Sequence, residues 1–440
     1  MQLGDVVPGS GPDQGKPLDG VRVLAAEQMQ ALPYGTQLLG RLGAEVVKVE
    51  HPTQGESGRG AHPAMVDPWG RTVGATFLRN NLAKRSVGID LKAPEGRDLF
   101  LDLVPHFDVV AENFKAGTMD RLGLSYEAVS ARHPGVIYVS VSGFGNAPNA
   151  AGDHSPYRDQ PAYASVVEAM SGVYEWARRP GEPPRPNPVG ALGDISSALF
   201  AVIGVLAALR ERDRTGVGQQ VDVAMLDALL SMTDVVTNMW SLGVRPESPM
   251  HLILDAFAAS DGYVVVQIVR EHQFERLADL VGHPEWVGEE RFATRAGWVV
   301  HLEGTIRPAL EGWLSTRTRA QATAELGAAG IAAGSCYTAP EVIADDHTSV
   351  RHMLVEMERT DGVDEPVLIP GNPVKLSDLP DPADPPGARV PWVGEHTAEV
   401  LRAELGLGDQ ELARLADAGV ISPVDGVPGR PRDPADEVAP

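Results

Sequence analysis

Cysteine is almost absent from this 440-residue chain, which has a single one, Cys336. One thiol excludes an internal disulfide bond and any metal site built from several cysteines. This composition is typical of a protein that works in a reducing compartment. Cys336 stands in the segment GSCYTAP, where we expect a packed, unreactive thiol. A nucleophilic cysteine or serine therefore has little support.

Basic residues are also in deficit. The chain has 37 lysines and arginines against 60 aspartates and glutamates, which gives a formal charge of −23 at pH 7. A surface with this excess of negative charge repels phosphate backbones and anionic lipids, so we expect neither nucleic acid nor a membrane as a partner. A small polyanionic ligand is still compatible with this charge if basic residues gather locally.

Export signals and long hydrophobic runs are missing as well. The N-terminus has no basic segment followed by an apolar one, so no secretory signal is predicted. The longest strongly apolar run, residues 198–209, is shorter than the ~20 residues that a bilayer span needs. We interpret this run as part of a buried core helix and predict a cytoplasmic protein.

Short apolar strands alternate with helical segments over the first half of the chain. VRVLAA, AEVVKVE and GVIYVSVSGFG have the pattern of strands, and TQLLGRLG and EGRDLFLDLVPH have that of helices. This alternation predicts an α/β fold with a parallel sheet that is covered on both faces. Residues 250–345 lack the alternation and combine a strand with several amphipathic helices, which predicts a smaller α+β domain.

The chain length also favours more than one domain. The expected order is a flexible arm (1–17), the first part of a large α/β domain (18–225), a linker (226–249), the small domain (250–345), a return to the large domain (346–421) and a disordered tail (422–440).

Common ligand-binding motifs are missing. The segment after the first strand, AAEQMQALPYG, lacks the glycines of a dinucleotide fingerprint, so Glu50 is not a persuasive ribose ligand. A phosphate-binding loop, a nucleophile elbow and histidines at zinc-ligand spacing are absent too. A basic cluster does stand out in this acidic chain, made of Arg79, Lys84 and Arg85. It is either an ordinary solvated loop or a phosphate anchor at the sheet edge where α/β proteins bind ligands.

Several segments carry a resemblance to a known family. They are PLDGVRVLAAEQMQALPYGTQLLGRLGAEVVKVEHP, NLAKRSVGIDLKAPEGRDLFLDLV, DVVAENFKAGTMDRLGLSYE, EAMSG, GALGD, ALRERDRTGVGQQVDVAMLDA and VGEHTAEVL. In this order and spacing the chain resembles the family III CoA-transferases, a group with formyl-CoA and carnitine-CoA transferases that is related to the α-methylacyl-CoA racemases. The resemblance implies a Rossmann-like large domain with a parallel sheet, a smaller inserted α+β domain, and a homodimer of interlocked subunits.

The resemblance also implies roles for individual residues. Asp194, in GALGD, would be the covalent nucleophile, and Gln30 would lie beside the thioester. Further residues would bind substrate or coenzyme A: Lys84, Arg85, Asn113, Phe114, Arg121 and Tyr163. The substrates would be an acyl-CoA and a carboxylic acid, with no permanently bound cofactor and no metal.

The chemistry of a carboxylate agrees with this role for Asp194. A carboxylate can attack a thioester to give a mixed anhydride and a CoA thiolate, which then returns to form an aspartyl-CoA thioester. The acceptor acid repeats the sequence in reverse, and the site must exclude water to preserve the thioester. We expect backbone N–H groups at the following helix start to stabilise the oxyanion. From its position alone, however, Asp194 would be an ordinary helix N-cap.

The chain departs from the family pattern at three places. Leu32 replaces a glycine, Ala164 replaces an acidic residue, and the glycine-rich loop of oxalate-using members is missing between Met250 and Ala259. These departures weaken an assignment to formyl-CoA and oxalate. The apolar segments MWSLGV and LILDAF favour a hydrophobic acyl group, although both would also suit a protein core.

Two alternatives to transfer remain open. An α-methylacyl-CoA racemase needs a histidine base, but the residue that corresponds to it here is Tyr163, a poor base at neutral pH. His154 lies nine residues earlier in an irregular loop, where a surface histidine is the ordinary interpretation. The other alternative is a CoA-binding homologue without turnover, which would have no need of a carboxylate at Asp194.

Overall fold

A computed structural model describes residues 15–246, 251–377 and 389–424. The chain divides into two compact units, Met1–Leu242 with Ser349–Pro440, and Gly243–Thr348. The predicted small domain, 250–345, falls within the second unit, and its boundaries stay predictions. Most of the predicted arm and tail lie outside the described residues.

The secondary structure follows the predicted alternation in the first half of the chain. The strands are β1 Arg22–Ala26, β2 Glu45–Glu50, β3 Ala64–Val66, β4 Thr72–Gly74, β5 Arg85–Gly88, β6 Val109–Glu112, β7 Ile137–Ser142, β8 Gln220–Ala224, β9 Ile253–Ala259, β10 Gly262–Ile268, β11 Ala332–Ser335, β12 Leu354–Met357 and β13 Val367–Pro370. The helices are α1 Ala31–Arg41, α2 Ala75–Asn80, α3 Pro94–Leu103, α4 Thr118–Leu122, α5 Tyr126–Arg132, α6 Ala164–Met170, α7 Val173–Trp176, α8 Leu192–Thr215, α9 Met225–Met232, α10 Glu271–Leu280, α11 Arg295–Val300, α12 Arg307–Leu314, α13 Arg319–Ala328, α14 Ala339–Ala344, α15 Asp346–Val350, α16 Thr397–Leu405 and α17 Asp409–Asp417.

The first unit is built on a six-stranded parallel sheet with the order β5-β2-β1-β6-β7-β8. β7 is buried along its whole length, including Ser140 and Ser142, which alternate with apolar residues. In β1, Leu24 packs with α3, α16 and α17 on one face, and Val23 packs with α1 and α8 on the other. The predicted parallel sheet with two covered faces is confirmed, and this arrangement is Rossmann-like.

The long apolar helix α8 differs from its prediction in one respect. It has 24 residues, and by length and composition alone it is the one helix of the described residues that could cross a membrane. Such a helix is also common in soluble cores, and α8 packs closely on the sheet, where a Cβ at Gly204 would lie 2.5 Å from Val221. The expectation of a buried core helix is nevertheless wrong for much of α8, because only 44% of its most apolar 18-residue stretch is buried.

The second unit contains an antiparallel sheet of order β11-β10-β9 with helices α10 to α14. Phe257, Val264 and Leu277 lie in its core. β9 covers the segment where family members that use oxalate have a glycine-rich loop. Cys336, directly after β11, is exposed, so the expected packed thiol is wrong.

The last described part of the chain returns to the first unit. β12 and β13 form an antiparallel pair, and α16 and α17 cover one face of the parallel sheet. Ser422, in the predicted tail, is buried and donates a hydrogen bond to the carbonyl of Pro52 at 2.6 Å. The predicted linker begins with helix α9 and a π-helix over Val235–Met239.

Candidate active site

Two helices begin at the carboxyl edge of the parallel sheet. α1 follows β1, and α8 leads into β8, so both run antiparallel to the strands and share this edge for their N-termini. The two helices pack against each other, since a Cβ at Gly35 would lie 3.2 Å from the carbonyl oxygen of Ala198. Gln30, just before α1, and Asp194, in the first turn of α8, therefore lie at the same edge. Open α/β sheets bind their ligands there.

Asp194 is not the N-cap that its sequence position suggested. The N-cap is Ala191, which has a left-handed backbone with φ of +41° after Gly190 at φ of +63°. This turn starts the helix at Leu192, two residues before the aspartate. The reason is backbone geometry, because the carbonyl of Ala191 already accepts from the amide of Ile195 at 3.0 Å. The carboxylate of Asp194 therefore does not cap the helix.

The carboxylate of Asp194 is largely buried and lacks partners. Among residues 15–246, 251–377 and 389–424, no donor forms a hydrogen bond or ion pair with it. Burial, and after it the negative charge of Glu168, together raise the pKa of Asp194 to about 6. Such a carboxylate is still mostly ionised at neutral pH and is more basic than an ordinary aspartate, as a nucleophile requires.

The segment that carries Gln30 is fixed by Asn113. The amide oxygen of Asn113 accepts from the Gln28 backbone N–H at 2.8 Å, and its amide nitrogen donates to the Gln28 carbonyl at 2.9 Å. Asn113 directly follows β6, the neighbour of β1 in the sheet. This amide pair therefore joins the ends of two adjacent strands, at the point where the strand order changes direction. Asn113, expected to line the coenzyme A site, has a clear structural task here.

A buried carboxylate also supports the Gln30 segment. Met29 has a left-handed φ of +60°, and its backbone N–H donates to Glu56 Oε2 at 2.9 Å. Lys48 Nζ, fully buried, donates to the carbonyl of Glu27 at 2.9 Å. These contacts hold an unfavourable backbone conformation just before Gln30. The Gln30 side chain itself makes no hydrogen bond within the described residues, so it is available to a substrate.

Lys84 lies inside the fold and its ammonium group is fully occupied. Four oxygens surround the three N–H donors of Lys84 Nζ: Glu27 Oε1 at 2.7 Å, Thr36 Oγ1 at 2.8 Å, the Pro33 carbonyl oxygen at 2.9 Å and Asn81 Oδ1 at 3.0 Å. Burial alone would raise the pKa of Glu27, but Lys84 and Lys48 hold it below its usual value. This geometry gives no support to Lys84 as a phosphate ligand.

Arg85 points away from the carboxyl edge. Its guanidinium group forms ion pairs with Glu45 at 2.6 Å and with Glu399 at 3.0 Å. Glu45 is the first residue of β2, so the Arg85 side chain extends towards the amino edge of the sheet. The predicted phosphate anchor at Arg85 is therefore directed to the edge opposite Asp194.

Arg121 lies beside a cavity at the carboxyl edge. The cavity has a volume of about 490 Å³ and is lined in part by Lys115, Arg158 and Asn146. A Cβ at Gly117 would lie 3.3 Å from Arg121 Nη1 and 3.9 Å from Arg158 Nη2, so both guanidinium groups approach this glycine. The Nε of Arg158 and the Oδ1 of Asn146 are buried and lack hydrogen-bond partners in the described chain. Asp120 and Glu127 also line the cavity, and Arg158 Nη2 pairs with Asp120 Oδ2 at 3.6 Å, so basic and acidic groups are mixed in its wall.

Glu112 lines this cavity, and Phe114 lies two residues after it. The backbone N–H of Phe114 donates to Glu112 Oε2 at 2.9 Å, and the ring packs against the sheet core. Burial, with a smaller effect of the charges of Asp222 and Asp120, raises the pKa of Glu112 to about 8, although the hydrogen bond from the Phe114 N–H acts in the opposite direction. Glu112 is thus mainly uncharged at neutral pH and adds little negative charge to the cavity.

Neither residue considered for racemase chemistry lies in a site suited to it. Tyr163 precedes α6 and is 71% exposed, and His154 is exposed in the loop beside the cavity. Leu32 is buried in the core between α1 and the sheet. Ala164 packs against α8, since a Cβ at Gly193 would lie 3.2 Å from its Cα.

Glu168 is the residue that sequence reasoning missed. It is buried in α6, and its Oε1 accepts from the backbone N–H of Gly193 at 3.1 Å. The Gly193 N–H is therefore not available as the expected oxyanion donor. The signal was present in the sequence as a charged residue within the otherwise apolar segment SVVEAM. In the described residues, no group of acidic, histidine or cysteine side chains is arranged to hold a metal ion.

A model of CoA-transferase family III matches residues 18–397. The chain belongs to this family. It is 34% identical over 398 residues to a succinyl-CoA:mesaconate CoA-transferase from Haloarcula hispanica, covering 89% of this chain and 97% of that protein. It is 34% identical over 420 residues to a succinyl-CoA–D-citramalate CoA-transferase from Chloroflexus aurantiacus, covering 92% and 98%.

A relative whose name includes oxalate also matches. A formyl-CoA:oxalate CoA-transferase from Streptomyces avermitilis is 32% identical over 430 residues, covering 92% of this chain and all of that protein. The crystal structure of a CAIB/BAIF family protein from Brucella suis is similar with a TM-score of 0.75 and 33% identity, covering 89% and 100%. The resemblance to family III CoA-transferases is thus confirmed, and the protein is an enzyme of this family.

Proposed function

We propose that this family III CoA-transferase moves CoA from an acyl-CoA to a free carboxylic acid through a covalent intermediate on Asp194. The observation that supports it most is the largely buried carboxylate at the start of α8, which has no hydrogen-bond or ion-pair partner in the described part of the chain and a pKa raised to about 6. A carboxylate that only stabilised the fold would be capped or paired. Covalent trapping of Asp194 tests the proposal and is described in the Discussion.

The reaction proceeds in two exchanges at Asp194. The carboxylate attacks the thioester carbonyl and the C–S bond breaks. This step releases CoA as a thiolate and forms a mixed anhydride between Asp194 and the donor acid. The thiolate then attacks the Asp194 carbonyl, which releases the donor acid and leaves an aspartyl-CoA thioester. The acceptor acid reverses both steps. The Gln30 side-chain amide, which makes no hydrogen bond within the described residues, donates one to the oxyanion of the thioester.

The cavity beside Arg121 binds the phosphate groups of coenzyme A in this proposal. Lys115, Arg121 and Arg158 supply positive charge there in an otherwise acidic chain. We leave Lys84 and Arg85 out of the site because both are occupied by carboxylates elsewhere. Asn113 and Phe114 shape the site through the backbone contacts described above.

Arginine substitutions at the cavity should weaken coenzyme A binding. We expect Arg121→Ala and Arg158→Ala each to raise the Kd for free CoA about tenfold, since each removes one charge-assisted phosphate contact. Isothermal titration calorimetry measures this directly. Arg85→Ala is the matched control and should leave the Kd unchanged. Unchanged affinity in both cavity variants would place the nucleotide elsewhere.

Succinyl-CoA is the first donor to test. Two of the relatives above have succinyl-CoA in their names, and the acids in the three names are dicarboxylic. We therefore propose dicarboxylic acids as the substrate class, against the hydrophobic acyl group that the apolar segments favoured. A screen of acyl-CoA donors against free acids, read by mass, distinguishes the two classes. Transfer from long-chain acyl-CoA alone would reject the dicarboxylate proposal.

A homodimer of interlocked subunits completes the proposed assembly. Leu199, Ile203 and Leu206 are 42%, 61% and 37% exposed, and their spacing puts them on one face of α8. An exposed apolar stripe on a long helix indicates a protein contact. The resemblance supplies the interlocked form of the partner chain.

A charge on this face of α8 should disrupt the dimer. We expect Ile203→Glu to shift the protein from dimer to monomer or aggregate, because the interface would bury an unpaired carboxylate. Sedimentation velocity over a concentration series measures the change. Val217→Glu, at an exposed position after α8, is the control. A wild-type protein that sediments as a monomer would contradict the assembly.

A further inference from the structure

Glu168 is a buried carboxylate to which the proposed transfer reaction assigns no task. Its side chain belongs to a residue that is only 1% exposed. Oε1 accepts from the Gly193 backbone N–H at 3.1 Å, and Oε2 accepts from the Tyr174 hydroxyl at 2.5 Å. The carboxylate of Glu168 is thus hydrogen-bonded to the residue that directly precedes Asp194, the proposed nucleophile.

The packing of α6 on α8 prevents Glu168 from moving away. A Cβ at Gly193 would lie 2.9 Å from Val167 Cγ2 and 3.2 Å from the Cα of Ala164, so the helices are in close contact at this point. Glycine at position 193 permits that approach. The position of Glu168 beside the first turn of α8 is therefore set by the packing of these helices.

No cation compensates the two carboxylates. In the part of the chain that the structure describes, neither Glu168 nor Asp194 takes part in an ion pair. Burial comes first among the causes that raise the pKa of Asp194, and Glu168 is the charged group that acts on it. Two negative charges held together in a poorly solvated place repel each other, and this repulsion disappears when one of them is neutralised.

We propose that Glu168 is a positioning residue whose charge favours the covalently modified, uncharged form of Asp194 over its free carboxylate. This inference rests on the proposed aspartyl intermediate. When the C–O bond of the anhydride forms and the C–S bond breaks, the charge leaves with the CoA sulfur. When the C–S bond to Asp194 forms and the C–O bond breaks, the donor acid carries the charge away as a carboxylate. In both products the Asp194 side chain is uncharged.

The size of the effect follows from linkage. Protonation and acylation both remove the negative charge of Asp194, so a neighbouring charge favours both in the same way. Each tenfold change in proton affinity that Glu168 causes corresponds to about a tenfold change in the equilibrium between free and thioester-linked Asp194.

Glu168→Gln is the central test. Glutamine keeps the size and an acceptor for the Gly193 N–H but removes the charge. We expect the equilibrium constant for formation of aspartyl-CoA to be about tenfold lower than in the wild type. Intact mass after acid quenching measures it, as the fraction of aspartyl-CoA at fixed succinyl-CoA and succinate. The acidic limb of kcat/KM should move to lower pH. Glu175→Gln, an exposed carboxylate paired with Arg178, is the matched control and should change neither.

Glu168→Ala gives a second prediction. It removes the same charge together with the hydrogen bond to the Gly193 N–H, so the adduct equilibrium should fall by about as much as in Glu168→Gln. A merely structural role would lower the adduct equilibrium in Glu168→Ala and leave it unchanged in Glu168→Gln, and that outcome would overturn the inference. An unchanged adduct equilibrium in Glu168→Gln would do so as well. If the wild-type enzyme carries no adduct on Asp194, the proposed function fails first, which separates the two failures.

Discussion

Asp194→Asn is expected to lose CoA transfer by at least about a thousandfold, while the Kd for free CoA stays unchanged. Asparagine has the size of aspartate, but its amide oxygen does not displace a thiolate. The basic groups near Arg121 lie on other elements of the fold and remain in place. Initial rates of acyl-CoA formation by mass spectrometry, together with calorimetry of CoA binding, measure the two quantities.

Trapping identifies the bond that this prediction assumes. Wild-type enzyme incubated with acyl-CoA and then treated with hydroxylamine should carry a hydroxamate on Asp194, and borohydride should reduce the same carboxyl group. Asp213→Asn, an exposed position near the other end of α8, is the matched control and should transfer and label normally. A label on another residue, or more than a tenth of the activity retained in Asp194→Asn, would refute the nucleophile.

Activity should also depend on pH through Asp194. Its raised pKa of about 6 means that the carboxylate form, which attacks, is lost as the pH falls through that value. We expect kcat/KM for acyl-CoA to decline below about pH 6. A profile that stays flat down to pH 4.5 would indicate that Asp194 is not the ionised attacking group.

The sheet could be predicted from sequence because the pattern of apolar residues in a strand depends on which of its faces are covered. β1 is covered by helices on both faces, and four of its five residues are apolar. The burial of α8 could not be predicted in the same way. Its exposed face, with Leu199 and Ile203, is as apolar as its packed face, and periodicity does not distinguish a core contact from a subunit contact.

The position of Asp194 could be predicted, but its surroundings could not. The GALGD segment locates the aspartate, whereas the left-handed turn at Ala191 that moves the helix start is a property of the folded backbone. Glu168 lies 26 residues earlier and meets Gly193 only through the packing of α6 on α8. Contacts between distant segments of this kind leave no local pattern.

Lys84 shows the same limit, because sequence gives it a positive charge without saying which carboxylate it meets. Its role can be tested by stability. We expect Lys84→Met to lower the free energy of unfolding by about 3 kcal/mol or more, since Glu27 would lose its closest cation while fully buried. Lys48, whose Nζ lies 3.7 Å from Glu27, compensates only in part. Urea unfolding followed by tryptophan fluorescence measures the change.

The reason for the loss can be separated from simple damage to the core. Adding Glu27→Gln to Lys84→Met removes the unpaired carboxylate, so the double variant should be more stable than Lys84→Met alone. Lys92→Met, at an exposed position, is the matched control and should unfold like the wild type. If Lys84→Met instead weakens CoA binding at full stability, the lysine contacts the ligand and the internal ion pair is secondary. The four acceptor oxygens that surround its ammonium group argue for a loss of stability.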